Sequence, residues 1–299
     1  MEHQIPLSKD AIAGDFQADE LRDDGTHEAR PDVAYKRTAI VNLAMIGPKD
    51  AGDGGWTLID TGIPGFAGKI VAAAEERFGK SARPNAIVLT HGHFDHVGSL
   101  ESLLETWDVP VYAHGLEIPY LDGSANYPPS DPLVGNGVMP LTAPTFPRGP
   151  IDLGDRLRPL PADGSVPGLP DWRWIHAPGH TPGQVALWRE ADRTLLPADA
   201  FITTNQESAY AVWTQKPLMH GPPMYFTQNW DDARESVRRL AALEPEVVVA
   251  GHGRAMEGPE MRAALRRLAE EFDTIARPNH GRTKDHPVSA EDGSAYEPA

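Results

Sequence analysis

The chain has 299 residues, 40% of them hydrophobic and 23% charged, which suits one large α/β domain or two modest ones with a sizeable core and excludes a disordered chain. It contains no cysteine, so disulfides, thiolate metal ligands and a cysteine nucleophile are excluded together. A formal net charge of -16 repels phosphate backbones and argues against nucleic acid as a partner.

No apolar run reaches the ~18 residues that a membrane span needs, so no membrane partner is expected. The opening stretch "MEHQIPLSKDAIAGDF" has neither the basic nor the apolar region of a signal peptide, and a cytoplasmic location is expected. Residues 1–34 are polar and acidic without periodicity. They read as a tail, or as an arm through which a homodimer forms.

From there strands and helices interleave. "YKRTAIVNLAMIG" reads as a strand from Tyr35 to Ile46, and "WTLID" is the next strand after a turn-rich break. Gly65 to Phe78 reads as a helix, "NAIVLT" as a short apolar strand, Val97 to Trp107 as a helix and "VPVYAH" as a buried strand. Residues 115–150 are proline-rich and aperiodic, as a lid, a binding loop or a disordered stretch is. Three β-like pieces follow, "DWRWIHAPG", "QVALWRE" and "RTLLPAD", and then a second irregular stretch at 201–228 rich in Trp, Tyr, Phe and Met. A helix over Trp230–Leu243, the strand "EVVVAG" and a helix from Gly258 to about Arg277 close the domain, taken as 35–277. Residues 278–299 read as a flexible tail.

The densest chemical signal is "THGHFDHVGS" at 90–99. His91, His93, Asp95 and His96 fall immediately after an apolar strand, a rigid place to mount ligands. Imidazole and carboxylate suit Zn²⁺ and related divalent ions. His180 in "APGHTPG", Asp199 in "LLPADA" and His252 in "VVVAGHG" carry the same punctuation. Together they complete a site: His91, His93 and His180 for one ion, Asp95, His96 and His252 for another, with Asp199 bridging.

This set resembles the metallo-β-lactamase superfamily of hydrolases, whose His-x-His-x-Asp-His loop is followed in order by a His, an Asp and a His. Asp60 and Gly62 in "LIDTG" match the family's Asp-x-Gly. The resemblance spans roughly residues 35–276. It implies a four-layer αββα sandwich and two divalent metal ions, zinc first, with iron or manganese as alternatives. Asp60 is expected to support the ligand loop by hydrogen bonding rather than to act in catalysis. His114 and His176 are expected to be structural. Tyr210, Trp213, His220, Met224, Tyr225 and Phe226, in the loop after the bridging Asp, form either an apolar substrate wall or local core.

The activity implied is hydrolysis of a small-molecule ester-type substrate, lactone first, by a hydroxide bridging two metal ions, with Asp95 passing a proton to the leaving group. The alternatives are a thioesterase of the glyoxalase II type and a persulfide dioxygenase with a single iron. The glyoxalase II and lactonase branches are each matched incompletely: "ADAFITTNQESAYAV" follows Asp199, and Ile202 or Thr203 stands where lactonases carry a Tyr.

Overall fold

The computed structural model describes residues 4–14, 25–134 and 139–299. Two mixed sheets face each other. The first has seven strands, in the order His27–Arg30, Val33–Thr38, Val41–Ile46, Thr57–Ile59, Ile87–Val88, Val111–Ala113 and Leu157–Pro159. The second has six, in the order Ser165–Val166, Leu169–His176, Val185–Arg189, Thr194–Ala198, Val247–Ala250 and Met256–Glu257. Their facing sides share one apolar cluster, in which Tyr35, Ile46, Ile59 and Val88 meet Leu187, Leu196, Val247 and Val249.

Helices cover the outer faces. Ala67–Phe78 and Leu100–Thr106 lie on the first sheet, where Trp56 stacks on Phe78 at 4.4 Å and meets Trp107 edge-on at 5.7 Å. Trp230–Ala242 and Gly258–Glu270 lie on the second. Each large apolar side chain buried this way is worth about 1.5–3 kcal/mol. The result is the four-layer αββα sandwich expected.

Strand direction places the site. Thr57–Ile59 runs parallel to Ile87–Val88, so Asp60 and His91 leave the first sheet at the same edge. Thr194–Ala198 runs parallel to Val247–Ala250, so Asp199 and His252 leave the second sheet together. The two edges are stitched: Asn42 Nδ2 donates to the carbonyls of Ala250 and Gly253 at 2.9 and 2.7 Å, and Val185 N donates to Thr90 O at 3.0 Å.

Three expectations change. The strand read over Tyr35–Ile46 is a hairpin, because Ala39 takes φ 59° and Ile40 N bonds back to Thr38 O at 2.8 Å. Nothing in "TAIV" marks that turn, since neither glycine nor proline is used. The described parts of 1–34 are not a loose tail. Ile5–Pro6 pairs with Leu218–Met219, Ala11, Ile12 and Ala13 are buried, and His27–Arg30 is an edge strand. The remainder of that segment, 1–3 and 15–24, lies outside the described residues. The tail read over 278–299 is also packed: Glu297–Pro298 pairs with Ala125–Asn126, Ala295 is buried, and the Tyr120 hydroxyl donates to Ala295 O at 2.8 Å. Polar composition concealed a few apolar anchors in each segment.

Candidate metal centre

Residues 91, 93, 95, 96, 180, 199 and 252, scattered over 162 positions of sequence, converge at this stitched edge and are all buried. Their donor atoms fall into three overlapping groups: His91, His93 and His180; His91, His96 and Asp199; and Asp95, His96 and His252. In the first, His93 Nδ1 lies 3.0 Å from His91 Nε2 and 3.0 Å from His180 Nε2. In the second half, His252 Nε2 lies 3.1 Å from Asp199 Oδ2 and 3.6 Å from Asp95 Oδ2. Asp199 Oδ2 is central: it also lies 3.6 Å from His96 Nε2 and 3.5 Å from His180 Nε2.

The remaining nitrogens are held from behind. His96 Nδ1 faces Asp60 Oδ2 at 2.8 Å, and His252 Nδ1 faces Ile40 O at 2.7 Å. His91 Nδ1 lies 3.1 Å from Thr90 Oγ1, and His180 Nδ1 lies 3.2 Å from Thr227 Oγ1. Such contacts fix ring orientation and tautomer. Asp60 belongs to none of the three donor groups. Its carboxylate accepts from Thr90 N and Thr90 Oγ1 at 2.8 and 2.7 Å, tying the ligand loop to the preceding strand. Asp60 and Ala198 have φ of 59° and 52°, a sparsely populated region for side chains other than glycine, at the points where the chain turns into the site. Gly251 is demanded by space, because a Cβ there would overlap Asp199 Oδ1.

The electrostatics divide the donors. Burial and the neighbouring imidazoles hold His91 and His93 well below the usual histidine range. Burial takes His180 down to about 4, with Asp199 opposing. Burial pushes the Asp199 carboxyl up, but His252 and His96 outweigh it and hold it well below the carboxylate range. Burial also pushes His96 and His252 down, but Asp199, joined by Asp60 at His96 and by Asp95 at His252, outweighs it and raises both.

The residues fit bound metal on two observations. Three imidazole nitrogens crowd at 3.0 Å, where only one proton can lie between any two of them. His96 Nε2 and Asp199 Oδ1 are buried and have no hydrogen-bond partner. Buried polar atoms without partners are costly unless something else, here a cation, satisfies them.

The expected substrate wall is redistributed. Tyr210 and Trp213, on the short helix Ala209–Thr214, are 74% and 85% exposed, so neither is core. His220 is buried against Glu207, its Nε2 3.3 Å from Oε2, and Met224 belongs to the core under the second sheet. Tyr225 is buried, and burial, Glu207, Asp95 and Asp199 push its phenol up. Phe226 lies at the site, 4.8 Å from the His93 ring, and shares an aromatic cluster with Phe94 and Phe146.

Phe94, Phe146, Glu117 and Tyr127 were missed in the sequence. Phe94 sits inside the ligand motif at one of its two variable positions. Glu117 lies four residues past the apolar strand Val111–Ala113, beyond His114 and in a short turn, so it lacks the strand-end signal that flags Asp199 and His252. His114 and His176 stack on each other at 4.4 Å and 10°, outside the donor groups, as structural residues do.

A sandwich of two sheets, with histidines and aspartates gathered where parallel strands end, defines a class of metal-binding αββα proteins. The family model of the metallo-β-lactamase superfamily matches residues 40–252, and the chain belongs to that superfamily. YflN, a probable metallo-hydrolase of Bacillus subtilis (strain 168), is 48% identical over 220 residues, 74% of this chain and 83% of that protein. YybB, a second probable metallo-hydrolase of that organism, is 30% identical over 200 residues, 66% of this chain and 74% of the relative. Among solved structures, a beta-lactamase domain protein from Burkholderia ambifaria has a TM-score of 0.59 at 20% identity, over 91% of this chain and 79% of that one. BJP-1, a subclass B3 metallo-beta-lactamase of Bradyrhizobium japonicum, has a TM-score of 0.55 at 20% identity, over 83% and 92%. At these identities the two structures speak to the fold alone. Among the described residues no helix is long and apolar enough to cross a membrane.

Proposed function

We propose that this protein is a metal-dependent hydrolase that holds two divalent ions and cleaves a small ester-type substrate, a lactone first. The carrying observation is the pair of buried donor sets meeting at Asp199, with His96 Nε2 and Asp199 Oδ1 left without hydrogen-bond partners. The names of the two relatives point the same way.

His91, His93 and His180 would hold one ion, Asp95, His96 and His252 the other, with Asp199 shared. Zinc suits this nitrogen and oxygen set; iron and manganese remain alternatives. When bound, such ions polarise the substrate carbonyl and bring the pKa of water towards about 7.

The chain's own residues supply orientation and a proton path. Asp60, Thr90, Thr227 and the Ile40 carbonyl fix the four imidazoles whose second nitrogen they meet. Phe94, Phe146 and Phe226 offer an apolar flank beside His93 that suits a neutral acyl or lactone ring. In the hydrolysis one water adds its oxygen to the carbonyl carbon and the ester C–O bond breaks. A proton from that water then reaches the leaving oxygen, and Asp95, the carboxylate grouped with His96 and His252, would carry it.

The test is turnover of the metal-loaded protein on lactones, thioesters, phosphodiesters and β-lactams. Lactone opening that chelation abolishes and zinc restores is expected. Absence of any ester or thioester hydrolysis, with oxygen consumed on persulfides by a protein holding one iron, would overturn the reading.

A further inference from the structure

We propose that Glu117 is a positioning residue for the His91, His93 and His180 half of the centre, one buried carboxylate clamping both ligand loops. The proposal rests on the metal reading above.

Glu117 is 0% exposed and comes from the stretch that the sequence shows only as irregular. Its Oε2 accepts from the backbone N–H of Gly92 at 3.0 Å and from the Tyr127 hydroxyl. Its Oε1 accepts from Thr181 Oγ1 and from Gly183 N, both at 2.8 Å. Gly92 lies between His91 and His93, and Thr181 follows His180. One oxygen therefore serves the first ligand loop and the other serves the second. The Tyr127 hydroxyl also accepts from Gly92 N at 2.8 Å, and its ring lies 4.5 Å from that of His93.

An independent observation agrees. A Cβ at Gly183 would lie 2.8 Å from Cγ, Oε1 and the backbone N of Glu117, and one at Gly92 would lie 2.8 Å from the Tyr127 hydroxyl. Both loops are bare at the points where this pair reaches them. A side chain that merely filled core space would need no charge there, and a buried carboxylate is costly without donors. Four donors offset that cost, and all four come from this one half or from Tyr127, which touches it. Asp60 has the corresponding place behind His96 in the other half.

Contacts behind a ligand typically change metal affinity by about 10–100-fold. The experiment is a calorimetric zinc titration of the metal-free full chain in two backgrounds. His252→Ala leaves the three-histidine half, and His180→Ala leaves the other. Glu117→Gln keeps the shape but places an amide donor against a backbone N–H. It is expected to weaken zinc binding about 10–100-fold in the His252→Ala background and to leave the His180→Ala background unchanged. Gly183→Ala should reproduce the effect by displacing Glu117, backbone and carboxylate together. Tyr127→Phe, which keeps the ring and removes only the hydroxyl, gives the same selectivity with a smaller loss, and decides the matter if Glu117→Gln does not fold. Unchanged affinity in the first background, or equal losses in both, overturns the clamp. A parent protein that binds no zinc overturns the metal reading and the clamp with it; a parent that binds two ions while Glu117→Gln matches it overturns the clamp alone.

Discussion

The Asp60 carboxylate meets His96 Nδ1 at 2.8 Å, and this contact turns His96 Nε2 towards Asp199, 3.6 Å away. With its Nδ1–H donated to a carboxylate, the ring presents a lone pair at Nε2, the form a metal ion requires. The same carboxylate anchors Thr90 through backbone and hydroxyl. Asp60→Asn is expected to weaken zinc binding about 10–100-fold, with the larger loss in the Asp95, His96 and His252 half and a smaller one through Thr90 and His91 in the other. Titration in the His180→Ala and His252→Ala backgrounds separates the halves, and a loss seen only in the three-histidine half would contradict the role given to Asp60.

Asp199 stands within 3.6 Å of His96, His180 and His252, so its removal strikes both donor sets. Asp199→Ala is expected to retain at most one ion per chain and to lose more than about 100-fold in turnover, beyond the usual cost of losing a contact behind a ligand. Elemental analysis after loading with excess zinc checks the first statement and steady-state kinetics the second. Two retained ions with near-parental rate would show that Asp199 is no bridge.

The apolar flank is assigned to Phe226 rather than to Trp213. Phe226→Ala removes a ring beside His93, and an apolar contact of about 1–3 kcal/mol corresponds to roughly 5–150-fold in kcat/KM. Trp213→Ala, at a side chain 85% exposed, should leave kcat/KM and melting temperature unchanged. If Phe226→Ala lowers only the melting temperature while Trp213→Ala alters substrate preference, the assignment is reversed.

His114 offers a pH prediction away from the ligands. Burial, and then the stacked His176 ring, take His114 down to about 4 from 6.5. Between those values the unfolded chain binds a proton that the folded chain does not, so stability rises with pH through this window. The contribution is fully present above pH 6.5 and is lost as pH falls towards 4. His114→Gln, assayed by thermal melting of the metal-free protein, should narrow the difference in melting temperature between pH 7.5 and pH 5, conditions chosen to bracket about half of the window. An unaltered difference would remove His114 from the account.

The sequence by itself determined the ligand types and where they are mounted. Asp60, His91, Asp199 and His252 are each polar residues at the end of an apolar run, a local pattern that records the strand and the turn after it. Helix and strand periods likewise report local burial, which is why Ala67–Phe78, Val185–Arg189 and Trp230–Ala242 fall where the pattern places them. Tertiary structure alone decided which partners meet. Glu117 acquires its role from backbone donors at 92 and 183, and Phe146 from rings at 94 and 226. The termini join the fold by pairing with strands more than 150 positions away, at 218–219 and 125–126. Hydrogen bonds and ring contacts between distant segments leave no period in the chain, because their energy depends on distances that only the packed sheets create.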